Sequence, residues 1–176
     1  MNNFSIYKEI FNGSNDDYTK MSSEETDKTL SVSKIKFESK VPNLAKMCYL
    51  MESVVLKAKR EGTIYAGFQK ISRATKIWDR FLKMADNVDK IYIFGEKDTT
   101  LQPHPHIQFV YLPPNHKLIR EWFLVMDIKF GKNMMLAYDL DGFGHLEIEE
   151  DRNFRGVKTF DVKHIDDTIK LLKTII

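Results

Sequence analysis

A layered α/β domain is the fold class this sequence predicts, and three observations predict it. Residues 64–73 and 90–96 read as strands, and between them Ile77, Trp78, Phe81, Met84, Ala85 and Val88 recur at helical spacing. Strand, helix and strand in that order form a βαβ unit, which asks for a parallel sheet. Further apolar runs at 107–112, 121–130, 134–140 and 157–160 extend that pair into a mixed sheet of five or six strands. Amphipathic helices before and after these runs supply the layers that cover its faces.

Taken in order, Phe4, Ile6, Tyr7, Ile10 and Phe11 match one short amphipathic helix, expected to dock on the domain or on a partner copy. Residues 12–33 are rich in Ser, Thr, Asn, Asp and Glu and read as a loop or mobile linker. This divides the chain into an amino-terminal segment and linker, 1–33, and a main body, 34–176. Pro42-Asn43 starts a helix with Leu44, Met47, Cys48, Met51, Val54, Val55 and Ala58 on one face, which Gly62 is expected to end. The βαβ unit follows, with the first strand carrying a polar tail as far as Arg73. A polar loop with Pro103 and Pro105 leads to the strand at 107–112, and Pro113-Pro114 forces a break. Gly131-Lys132-Asn133 joins two strands as a hairpin-like connection. Val162, Ile165, Ile169, Leu172 and Ile176 mark a closing helix.

The chain has 176 residues, enough for one domain with a true core, and is 43% hydrophobic and 30% charged, as ordinary globular proteins are. A net charge of +2 with Lys and Arg interleaved among Asp and Glu leaves no basic stripe for nucleic acid. The lone Cys48 excludes an intrachain disulfide framework and reads as a small core residue. No run approaches the roughly 20 apolar residues of a membrane span, and the amino terminus lacks a secretory pattern. A cytoplasmic protein with no membrane partner is expected.

Candidate site residues cluster at strand ends. Gln69, Ser72 and Arg73 sit where a parallel strand runs out at its carboxyl end, the edge at which ligands collect in open α/β sheets. Together they offer an amide to orient, a hydroxyl to donate and a guanidinium to grip a carboxylate or phosphate. The same residues also suit caps and loop ties. Glu121 and Trp122 open a later strand and would line the same pocket as counter-charge and apolar wall, or else serve an ion pair and the core.

The segment 139–150 matches a calcium loop at Asp139, Asp141, Gly144, Leu146 and Glu150, but Phe143 stands where an oxygen ligand belongs and the preceding residues read as strand. A tight Asp-Gly turn is the reading that fits its flanks. His104-Pro105-His106 lacks the further ligands of a zinc site. No nucleophile elbow, P-loop, zinc-protease or dinucleotide motif is present, so no catalytic residue, metal or cofactor is expected.

Five separated blocks resemble the DICT domain, a sensory module of diguanylate cyclases and two-component proteins. Ala66-Gly67-Phe68-Gln69 with Ser72-Arg73 is similar to the family's AGFQ…S strand, and Tyr92-Ile93-Phe94-Gly95 to its VYVFG strand. Arg120-Glu121-Trp122-Phe123 resembles its EWF strand start, and Ala137-Tyr138-Asp139-Leu140 its A-x-D-L strand end. Phe154 and Phe160-Asp161 before the last helix complete the order, over about 35–176. The resemblance implies a cytoplasmic sensory or regulatory domain without catalytic residues. It implies a small-molecule ligand or a signalling partner in trans, such as a histidine kinase or diguanylate cyclase. A dimerisation module without ligand, possible as a homodimer, is the alternative, and a calcium-binding protein stands behind it.

Overall fold

The computed structural model describes residues 1–11, 18–22, 24–31, 34–129 and 131–176. Its centre is one mixed sheet. The strands are β1 (Thr19–Lys20), β2 (Ile35–Lys40), β3 (Gly62–Lys70), β4 (Lys90–Glu96), β5 (Ile107–Tyr111), β6 (Glu121–Ile128), β7 (Asn133–Asp139) and β8 (Asn153–Thr159). They lie in the order β1-β2-β8-β7-β6-β3-β4-β5. β3, β4 and β5 run parallel, β6, β7, β8 and β2 continue antiparallel, and β1 joins β2 in parallel.

The α/β class is as expected, but the sheet has eight strands where the apolar runs predict five or six. β2, Ile-Lys-Phe-Glu-Ser-Lys, escapes because only Phe37 among its central residues is large and apolar, so its alternation is nearly silent. β1 is two residues long and falls in the stretch read as linker. Other parts of that linker, residues 12–17, 23 and 32–33, lie outside the described residues, as does Phe130 at the end of the run read as a strand.

Helices cover both faces. On one face lie α2 (Asp27–Leu30), α3 (Val41–Leu56) and α4 (Trp78–Ala85), whose Leu30, Met47, Met51, Phe81 and Met84 pack with Ile64, Leu124 and Met135. On the other lie α1 (Ile6–Phe11) and α5 (Val162–Lys173), with Ile6, Ile165, Ile169 and Leu172 against Val125, Met134 and Leu136. Burial of Ile165, Thr168, Ile169 and Leu172 on α5 is the i, i+3, i+4, i+7 stripe of an amphipathic helix. Asp161 caps it, accepting from the His164 N–H at 3.2 Å. The first residues thus dock on their own domain.

Two boundaries differ from expectation. α3 ends at Leu56, and Gly62 instead opens β3 at φ +135°, where a Cβ would collide with the Asp127 carbonyl. β3 stops at Lys70, so Ser72 and Arg73 belong to a 3₁₀ turn, Ile71–Ile77, that leads into α4. Gly156, like Gly67 beneath the Phe123 ring, is another position with no room for a side chain. Its Cβ would stand 2.7 Å from the buried Phe37 ring and closer still to the Leu136 carbonyl. Gly156→Ala should cost about 1–3 kcal/mol, read as a lowered urea midpoint with unchanged slope.

Candidate functional site

One edge of the sheet collects the carboxyl ends of β2, β3 and β7 and the starts of β6 and β8. Backbone geometry prepares this edge. Strict alternation would turn Gln69 toward the face of Tyr65, but Gln69 has φ +66°, the one positive value at a non-glycine position among the described residues, and the β3–β4 register shifts between Gly67 and Lys70. The bulge re-aims the amide toward β7.

Gln69 is 1% exposed and holds four elements together. Its Nε2 donates to the Ile119 carbonyl at 3.0 Å and to Asp139 Oδ2 at 3.0 Å. Its Oε1 accepts from Arg152 Nη1 at 2.9 Å and from Arg73 Nη1. Arg152 is ion-paired with Asp139, and both are buried, at 1% and 0% exposure. Arg152 Nε also meets Glu149 Oε2 at 2.8 Å. Two buried charges at a sheet edge are tolerated because they pair with each other and with further hydrogen-bonding groups, Gln69 and Glu149 for Arg152 and Gln69 for Asp139.

Above this network lies a cavity of about 360 Å³ between α3, the 3₁₀ turn, the start of β6 and the 139–150 loop. Phe68, Phe81, Leu124 and Trp122 form apolar walls, and Phe143 reaches in from the loop. The Arg73 guanidinium stands 4.7 Å from the Trp122 ring and 5.8 Å from Phe143, in cation–π range. Burial, then the neighbouring Arg152, lowers Arg73 to about 10, so it stays charged at neutral pH. On α3, Glu52 Oε2 lies 2.5 Å from Arg80 Nε, without the alignment of a hydrogen bond. Burial raises Glu52 to about 7 despite Arg80. Cys48 shares this wall, and burial pushes its thiol up, so it is the inert kind of cysteine.

The expected residues are placed as follows. Arg73 and Trp122 line the cavity, and Gln69 braces Arg73 from beneath. Ser72 is at the cavity margin, but its hydroxyl donates to Asp98 Oδ2 at 2.6 Å and its N–H to Oδ1 at 2.9 Å. Glu121 is not brought to the cavity. It points through the other face of β6, where it accepts from Ser5 Oγ, from the Ile6 N–H at 3.0 Å and from the Tyr7 N–H at 3.3 Å. It therefore caps α1.

Sequence reasoning missed Arg152, Glu52, Arg80 and Phe143 as parts of the site, and Asp139 as Arg152's partner. Glu52 left a signal, since a carboxylate among Cys48, Met51 and Val55 on a helix's apolar face asks for a partner. The 139–150 loop does form an Asp-Gly turn, with Asp139 Oδ1 accepting from the N–H of Asp141 at 3.2 Å and of Gly142 at 2.8 Å. Other carboxylates in and beside the loop turn to different partners. Asp141 takes the Asn153 N–H at 2.7 Å and Glu149 pairs with Arg152, while Asp151, just past the loop, pairs with Lys40.

Known proteins resemble this arrangement in two ways. The model of a family described as a sensory domain in diguanylate cyclases and two-component systems matches residues 20–140. A crystal structure of polyphosphate kinase from Porphyromonas gingivalis superposes with a TM-score of 0.52 over 74% of this chain, at 10% identity, which is a likeness of fold alone. This chain spans 21% of that protein's length. Among curated proteins, no sequence matches.

Proposed function

Because the chain belongs to the DICT family of sensory domains, we propose that it is a non-enzymatic sensory module whose cavity takes up a small ligand and whose occupancy is passed to a separate signalling partner. A histidine kinase or diguanylate cyclase acting in trans in the cytoplasm is the partner this reading asks for. Among the described residues, no helix is long and apolar enough to cross a membrane. The observation that carries the reading is the cavity itself, with apolar walls and a charged guanidinium positioned by a buried amide at the carboxyl end of β3.

A route for the output supports it. Trp122 faces the cavity while Glu121, the preceding residue, holds the amino-terminal segment from the opposite face. A ligand that prefers one setting of the β6 start also prefers one setting of α1, and shifts the population by that difference in affinity. The part that would move is α1 alone, since β1 and α2, though they also precede residue 34, are built into the sheet and its core.

A thermal-shift screen of small metabolites should yield a stabilising compound. Arg73→Ala should weaken that compound's binding about tenfold or more, as loss of a charged hydrogen-bond donor does. Unchanged affinity would remove the site. A dimerisation module without ligand is the alternative: light scattering that shows a dimer lost on deleting residues 1–33, with no compound bound, would favour it.

A further inference from the structure

The charges around the cavity narrow the ligand's chemistry. Arg152 is committed to Asp139 and Glu149, and Arg80 to Glu52. Arg73 and Lys76 remain; Asp139 and Glu149 act on Arg73 without forming an ion pair with it, and neither Lys76 nor Glu150 makes an ion pair among the described residues. Arg73 spends only Nη1, on Gln69 and on the Phe68 carbonyl at 3.3 Å, while its Nε and Nη2 make no hydrogen bond among the described residues. The whole lining, Arg73, Lys76, Arg80 and Arg152 against Glu52, Glu149 and Glu150, has a formal charge of +1. A cluster that takes polyphosphate needs several free cations, because each added phosphate charge would meet these carboxylates at close range. One unspent guanidinium in a cavity lined by five aromatic residues suits one negative charge on an apolar body.

Resting on the ligand-site reading above, we propose that the cavity selects an aromatic monocarboxylate, its carboxylate on Arg73 and Lys76 and its ring against Phe68, Phe81 and Trp122. Arg73 is the specificity-determining residue. Phe143 and Trp122 hold its guanidinium in place, and Gln69 fixes the nitrogen it does not offer. Free donors then face the cavity before a ligand arrives, so little ordering cost is left for binding.

Isothermal titration of the full chain with indole-3-propionate, its neutral amide and tripolyphosphate tests this. The carboxylate should saturate one site and the amide should bind about tenfold more weakly. Tripolyphosphate should fail to compete. Arg73→Gln should erase the difference between carboxylate and amide, and Lys76→Gln, at an exposed position that folding does not need, should weaken the carboxylate severalfold. An amide as tight as the carboxylate, no binding by any probe, or displacement by tripolyphosphate that depends on Arg73 overturns the monocarboxylate class. Ala45 is an exposed residue of the cavity lining, so Ala45→Trp sets a ring across the cavity mouth; a probe affinity that survives both it and Arg73→Gln would overturn the site reading itself.

Discussion

Arg152→Met should destabilise the chain by about 3–5 kcal/mol, because it strips the guanidinium from a fully buried Asp139 and leaves that charge uncompensated. Gln69 and Glu149 lose a donor at the same time. For a chain of this size the loss corresponds to roughly 6–20 °C in melting temperature. Urea unfolding of the two proteins measures it. Adding Asp139→Asn to Arg152→Met should restore part of the loss, since the orphaned charge disappears with it. A midpoint unchanged by Arg152→Met would mean that the buried pair contributes nothing.

Stability should also fall as the pH rises from about 4.5 to about 7. Glu121 and Glu52 are both raised by burial to about 7. For Glu121 this holds in spite of the hydrogen bonds from Ser5, Ile6 and Tyr7 and the nearby charge of Lys8. For Glu52 it holds in spite of Arg80. Each carboxyl keeps its proton in the folded chain at a pH where the unfolded chain has released it. The stabilisation is therefore complete below about 4.5 and is lost as the pH climbs through 7, on the order of 3 kcal/mol for each group. The exposed Asp161 and the half-buried Asp167 are lowered by the hydrogen bonds they accept, Asp161 from the His164 N–H and Asp167 from Lys163 and Lys170, and act only at more acid pH. Urea midpoints at pH 5.0 and 7.5 give the slope, and Glu121→Gln should remove its share while keeping an oxygen for the α1 amides. A flat profile in the parent protein would contradict the buried-proton account.

The regular parts of this fold were legible because period and burial coincide. The helix between β3 and β4 shows in Trp78, Phe81, Met84 and Ala85, and the strands at 121 and 134 show in near-continuous apolar runs. β2 was not legible, since a strand of alternating lysine, glutamate and serine around Phe37 has no contrast to read. At the site, Arg73 and Trp122 came from position alone, a polar residue and an aromatic one at strand ends. Glu121 shows the limit: the side-chain period of a strand assigns a face only once the register is known, and a neighbour of Trp122 necessarily looks the other way. Gln69 was expected at this edge, yet what aims it is a backbone angle that no residue pattern announces. The pairing of Asp139 with Arg152 depends on where the loop between them turns back.

The place of β8 in the sheet has a consequence for where this protein divides. The family model matches residues 20–140, but β8 is inserted between β7 and β2, so the strand that closes the middle of the sheet is translated after that match ends. A chain cut after Leu140 would hold two ribbons with no seam between them, a bare edge along β7, and an aspartate with no guanidinium to meet it. The stretch matched by the family model is shorter than the stretch that completes the sheet, and the guanidinium that pairs with the buried Asp139 lies beyond it.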